Sequence, residues 1–254
     1  MKKRQGRGKV KELTILEPGQ RLKEARKKLG LKQDDLAGEN MSKNYISMFE
    51  NGKRRISIIN AAYFADILNN KAEEKGIKLN VTASYFVKNE KDIAREKCID
   101  WIDKILDKKG NNKIEVYREL YKLIYLSKKY GLDDILAKAL ELKGKQLYRN
   151  GLYSCAIAHF SKSLSFYIRE EDNLGIKGSY LAMGKTYFMN GNFKMAIVYY
   201  NLAGLIKNED CILYYKALCY YKLEEFEVAK SIIDKIMFKD ERVLELENYI
   251  HTNA

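Results

Sequence analysis

A single proline, Pro18, stands in a chain of 254 residues, so almost nothing in the sequence forces a helix to kink or stop. Apolar residues make up 46% of the chain and charged residues 32%, which supplies core material and excludes extended disorder and collagen-like structure. With so little punctuation the expected class is all-α, and the length holds two small domains more readily than one large core. No run reaches the ~18 consecutive apolar residues of a membrane span. The basic start, MKKRQGRGKVKEL, is not followed by the apolar stretch of a secretory signal, so a cytoplasmic location without membrane attachment is expected.

Chemistry-bearing side chains are sparse. Four cysteines, Cys98, Cys155, Cys211 and Cys219, stand far apart, without metal-site or disulfide-framework spacing, and read as buried small hydrophobes. The two histidines, His159 and His251, lack a neighbouring nucleophile or ligand set. No catalytic residue, metal or cofactor is expected, and the chain is not read as an enzyme.

Positive charge is concentrated near the start. Residues 1–90 carry 20 basic and 11 acidic side chains, a balance of +9, whereas 91–254 carry 27 and 23, a balance of +4. A small basic unit suits a polyanion, because neutralising phosphates releases counterions, and equally suits a merely soluble surface. The organisation expected is a basic arm over 1–18, a small basic domain over 19–90 and a helical domain over 91–254.

Within the second of these segments apolar residues recur at helical spacing in short pieces separated by turn signals. A first helix from about Gln20 to Leu29 places Leu22, Ala25 and Leu29 on one face and stops at Gly30. A second, LKQDDLAG, turns Leu36 and Ala37 inward with Asp34 and Asp35 in its first turn. Ser42 caps a third, KNYISMFE, ending at Asn51-Gly52; a fourth runs from about Ser57 to Asn69. On the third helix Ile46 and Phe49 share one side while Lys43, Asn44, Ser47 and Met48 fan across the other. Such side chains suit base edges, lysine for guanine, asparagine for adenine and methionine for a thymine methyl, and equally suit an ordinary solvated helix face.

The order LGLKQDDLA, SKNYISMFENGKRRIS, AAYFADIL resembles the Cro and lambdoid-repressor (Xre-type) helix-turn-helix family over residues 19–88. That resemblance implies a lambda-repressor-like domain in which Gln33 meets a backbone phosphate and Ser42, Lys43, Asn44, Ser47 and Met48 face double-stranded operator DNA. It further implies that Lys53 and Arg54 hold the phosphate backbone and that Arg26 pairs with Glu50 inside the domain. The turn between Ala37 and Lys43 is one residue shorter than the common pattern. The arm residues Lys2, Lys3, Arg4, Arg7, Lys9 and Lys11 are read as a solubilising tail, with a minor groove as the alternative.

Farther on, the helical pattern repeats. Gly144, Leu147, Gly151, Tyr153, Ala156, Phe160 and Ser163 return forty residues later as Gly184, Tyr187, Gly191, Phe193, Ala196, Tyr200 and Ala203. A third copy continues with Ala217, Tyr220, Phe226, Ala229, Ile233 and Ile236. The pattern resembles tetratricopeptide (TPR) repeats, which implies a TPR-like α-solenoid of antiparallel helix pairs. Forty exceeds the usual ~34, so either the helices or a loop must be longer. A degenerate pair near 93–108 and 113–130 should precede the array, and residues 240–252 should cap it. The groove implied by the resemblance is lined by Lys145, Tyr148, Arg149, Lys185, Phe188, Tyr214, Leu218 and Tyr221, with Asn201 as a backbone clamp.

The combination of an Xre-type head and TPR-like repeats resembles the RRNPP peptide-pheromone receptors, including the arbitrium type. It implies a homodimeric transcription regulator whose groove senses a short signalling peptide and sets the arrangement of its DNA-binding heads. The alternative is a TPR adaptor that docks a protein partner, its basic unit serving protein contacts or nonspecific nucleic-acid tethering.

Overall fold

A computed structural model describes residues 13–39, 41–107 and 113–253. The arm residues Lys2 to Lys11 and the turn signal at 109–112 lie outside the described residues. Among those described, the chain is helical apart from turns and one isolated bridge between Gly38 and Met41. It divides into two compact units, the first ending at Asp100 and the second beginning at Trp101.

The first unit opens with α1 (Pro18–Lys28), which uses Pro18 in its first turn, where a missing N–H costs nothing. A single 3-10 turn, Gln33–Leu36, follows, then α2 (Lys43–Glu50), α3 (Ile58–Glu74) and α4 (Ala83–Val87). The second helix expected from LKQDDLAG is therefore shortened to one turn. Asp35 accepts a 2.6 Å hydrogen bond from the Lys32 amide, and Gly38 and Met41 exchange backbone hydrogen bonds of 3.0 and 3.1 Å. These local bonds satisfy the backbone in a tight loop instead of a longer helix. Leu36 is nevertheless wholly buried, while Ala37 is only half-buried. Leu22, Leu36, Ile46, Phe49, Phe64, Leu68 and Phe86 form the core of the unit. Gly19 is required at its position, because a Cβ there would lie 2.0 Å from the Phe49 carbonyl oxygen.

Helix α5 (Glu90–Asp107) is followed by α6 (Lys113–Lys129), α7 (Asp133–Arg149), α8 (Tyr153–Arg169), α9 (Asn173–Met189) and α10 (Phe193–Ile206). Then come α11 (Asp210–Lys222), α12 (Phe226–Ile233) and the closing α13 (Glu241–Asn253). From α6 onward each helix packs on the next. Left-handed backbone recurs at twenty-residue steps, at Gly131, Gly151, Glu171 and Gly191. Helices α7, α8 and α9 are each 17 residues long. The forty-residue spacing thus arises from long helices, with short turns kept between them.

The small residues of the repeat sit where large rings press on them. A Cβ on Gly144 would lie 2.6 Å from the Phe160 ring, and one on Gly184 the same distance from Tyr200. Ala156, Ala196 and Ala229 are all wholly buried, as the aligned register requires. In the third hairpin the ring is replaced by Ile233, and its helices shorten to 13 and 8 residues. The cysteine expectation holds for half the set: Cys98 and Cys219 are buried, whereas Cys155 and Cys211 lie exposed on outward helix faces.

Substituting Gly184→Ala should lower the stability of the intact chain by about 1–3 kcal/mol, since Tyr200 is too enclosed to yield. Glu171→Gly, which relieves a φ of 55°, should raise it by about 0.5 kcal/mol. Denaturant unfolding of both variants checks the pair of signs.

Candidate nucleic-acid interface and ligand groove

Helix α2 begins with its cap in place: the Tyr45 amide donates to Ser42 Oγ at 3.3 Å. Its inward residues Ile46 and Phe49 have no exposure, whereas Met48 is 38% exposed and Lys43 and Asn44 lie open beside it. Ser47 is half-buried and its hydroxyl accepts from Asn51 Nδ2 at 3.3 Å. Gly52 then takes a φ of 68°, and the amides of Lys53 and Arg54 both turn back to the Met48 carbonyl at 2.9 and 3.3 Å. The two cations are thereby pinned at the exit of the helix.

The helix is aimed by a buried ionic cluster. Arg26 Nε and Nη2 donate to the two carboxylate oxygens of Glu50 at 2.6 and 2.9 Å, and Arg26 Nη1 donates to the Leu31 carbonyl at 2.6 Å. Gln33 Nε2 adds a 2.9 Å bond to Glu50. Burial pushes the Glu50 carboxyl up, but the hydrogen bonds from Arg26 and Gln33 and the Arg26 charge outweigh it and hold its pKa below the ordinary value. Arg26 is shifted upward in return, chiefly by its hydrogen bond to Glu50.

Sequence reasoning passed over Tyr45 and Arg55. Tyr45 is 41% exposed on the outer face of α2, with the Arg54 guanidinium 4.5 Å from its ring centre. Helical spacing alone places it there, but in a chain of nineteen tyrosines the residue type carries no signal. Arg55 extends the exposed basic run after Gly52. Lys43 forms a 2.8 Å ion pair with Asp34, both side chains 58% exposed. An exposed pair of this kind exchanges readily for another anion.

In the second unit the sequence-derived groove residues separate into groups. Lys185 Nζ lies 4.6 Å from the centre of the Tyr215 ring, which stacks on Tyr200 at 5.5 Å. Tyr148 shares this neighbourhood: burial raises its pKa, Tyr153 and Tyr215 add to the rise, and Lys185 opposes it. Lys185 of α9 thus meets Tyr215 of α11, and Tyr215 is the neighbour that sequence reasoning missed. Lys145 pairs with Glu141, and Arg149 is exposed. Phe188 packs on Phe193 at the end of its hairpin, with ring centres 5.2 Å apart. Asn201 is exposed on α10, the second helix of its pair. Tyr214, Leu218 and Tyr221 pack into the C-terminal cluster formed with Val243, Leu246 and Ile250.

A cavity of about 460 Å³ opens between α7, α8 and α9, lined among others by Asp134, Lys138, Glu141, Tyr167 and Gly178. Tyr167 donates to Glu141 at 2.8 Å there, and its pKa is driven well above the ordinary range by burial and by that carboxylate. Among the described residues no group of three or more potential ligands is arranged to hold a metal ion, and no helix is long and apolar enough to cross a membrane.

Residues 19–82 match the family described as a helix-turn-helix domain. No curated protein sequence matches the chain. Among solved structures, the crystal structure of Bacillus thuringiensis PlcR in complex with the peptide PapR7 and DNA aligns at 14% identity over 94% of this chain and 99% of that one, with a TM-score of 0.38. The first unit thus contains a segment similar to a helix-turn-helix domain, and in the chain it is followed by a series of helical hairpins.

Two consequences can be measured. Asp34→Ala should free Lys43 and remove a like charge to phosphate, raising affinity for any duplex about two- to fivefold in a low-salt titration. For Glu50, a depressed folded-state pKa means that its stabilisation is present above about 4.5 and is lost as pH falls through the folded value. Glu50→Gln should flatten that acid limb in unfolding measurements while costing about 2–4 kcal/mol at pH 7, because Arg26 stays buried without a counterion.

Proposed function

We propose that the chain is a transcription regulator that reads a pseudo-palindromic operator as a homodimer and responds to a short peptide held by its hairpin array. One observation carries the DNA-reading half: α2 buries Ile46 and Phe49 completely and leaves Lys43, Asn44 and Met48 open, at the centre of the segment that matches a helix-turn-helix domain. In this reading Lys43, Asn44, Ser47 and Met48 meet base edges in the major groove, with Ser42 at the mouth of the helix. Lys53 and Arg54 take phosphates. Gln33 keeps one amide hydrogen on Glu50 and offers the other to the backbone. Two heads would stand ~34 Å apart or a multiple of it to engage successive half-sites.

The peptide half rests on the sequence resemblance to RRNPP receptors and on the contact of Lys185 with the Tyr215 ring. A cation beside an aromatic face suits a peptide carboxylate next to an apolar side chain. The peptide acts by preferring one spacing of the heads, which requires different affinities for the two arrangements.

Replacing Lys43 and Asn44 together by alanine should erase the preference for a selected operator over random duplex, a loss of about 1–3 kcal/mol for each bidentate contact. Most of the salt-dependent binding should remain. Equal loss on both duplexes would overturn the assignment of α2 as the reading helix. For the peptide, mass spectrometry of small molecules co-purified from the native host should find a short peptide, and Lys185→Met should deplete it; retention at wild-type level would remove Lys185 from the groove.

A further inference from the structure

Arg21, on α1, is among the largest wholly buried side chains, with 1% of its surface exposed. Its Nη2 donates to the Lys88 carbonyl, and its guanidinium carbon lies 5.3 Å from the centre of the Tyr85 ring. Nε and Nη1 are buried with no hydrogen-bond partner. Burial lowers the pKa of this group, while Tyr85, Glu90 and Glu96 oppose that shift through space. A buried guanidinium with unused N–H groups is costly, because each lost its water without receiving an acceptor.

The same side chain borders a cavity of about 610 Å³, lined also by Glu24, Lys27, Lys28, Val81 and Tyr85. Three cations and one carboxylate leave its lining net positive. Lys28 is exposed and reaches the Lys78 carbonyl at 3.3 Å. Tyr85 meets the guanidinium with its ring face, which satisfies no N–H directly.

We propose that this cavity is an oxyanion site, in which a phosphate-class anion passes Lys27, Lys28 and the Tyr85 ring to accept hydrogen bonds from the unused N–H groups of Arg21. Charge-assisted bonds of this kind are what a fixed guanidinium makes best. Because Nη2 already grips the Lys88 carbonyl, a bound anion would tie α1 to the segment that follows α4. The site lies apart from the outer face of α2 in sequence and shares none of its residues, so it stands independently of the operator and peptide assignments.

The test is calorimetric titration of the intact chain with inorganic phosphate at constant ionic strength, chloride being the balancing anion. Saturable binding at one site per chain is expected. Lys27→Ser/Lys28→Ser, which touches only exposed side chains, should weaken it about fivefold or more, and Arg21→Lys, which loses the planar fork, about tenfold. If Arg21→Lys fails to fold, the double lysine variant carries the test alone. A random duplex that competes with phosphate in the wild type but not in the lysine variant would identify DNA phosphate as the source, and phosphate binding unaffected by duplex would identify a free anion. No saturable heat with the wild type, or identical binding by the lysine variant, overturns the proposal.

Discussion

The carboxylate of Glu50 closes α2 from inside the protein, and a buried carboxylate is tolerated only if its charge and lone pairs are met. Arg26 meets both oxygens from α1, Gln33 adds a bond from the 3-10 turn, and the remaining Arg26 donor holds the Leu31 carbonyl between them. Three successive elements are thus fixed to the C-terminal end of α2 by one ionic cluster. Hydrophobic burial of Ile46 and Phe49 fixes which face points inward, but apolar contacts have little directionality. The ionic cluster supplies the orientation, and the open positions of Lys43, Asn44 and Met48 follow from it.

A related division of labour runs through the hairpins. Apolar area supplies most of the stabilisation, whereas Gly144 and Gly184 decide how closely paired helices approach, since Phe160 and Tyr200 occupy the space a side chain would need. Turn geometry is separate again. Glu171 and Glu224 adopt the same left-handed conformation as the glycines at equivalent turns, so packing across the hairpin is strong enough to impose a strained φ on residues that disfavour it.

Much of this was legible in the sequence, for reasons that differ by element. The forty-residue register could be read because a glycine and an aromatic ring must be matched across each hairpin, and both residue types are conspicuous. Arg26 and Glu50 could be paired because the resemblance supplied the partner. The second helix was overextended: periodicity placed Leu36 correctly, but nothing in LKQDDLAG announces that Asp35 will accept the Lys32 amide and close a single turn. The cysteines were misread in part because residue type states a preference for burial and says nothing of which helix face a position occupies. Repeat positions singled out Lys185 but not its neighbour Tyr215, which stands among adjacent tyrosines that its residue type does not distinguish.

The third hairpin departs from its predecessors in a way that reaches beyond packing detail. Its helices of 13 and 8 residues replace partners of 17 and 14, and an isoleucine stands where the earlier copies bury an aromatic ring. In a stack held together by neighbour contacts, the stability of each unit is set by its own interior and by the interface it shares. The last full pair is therefore the shallowest well in the series, and the closing helix α13, through Val243, Leu246 and Ile250, acts as a seal whose loss would let the stack fray inward from its carboxyl end.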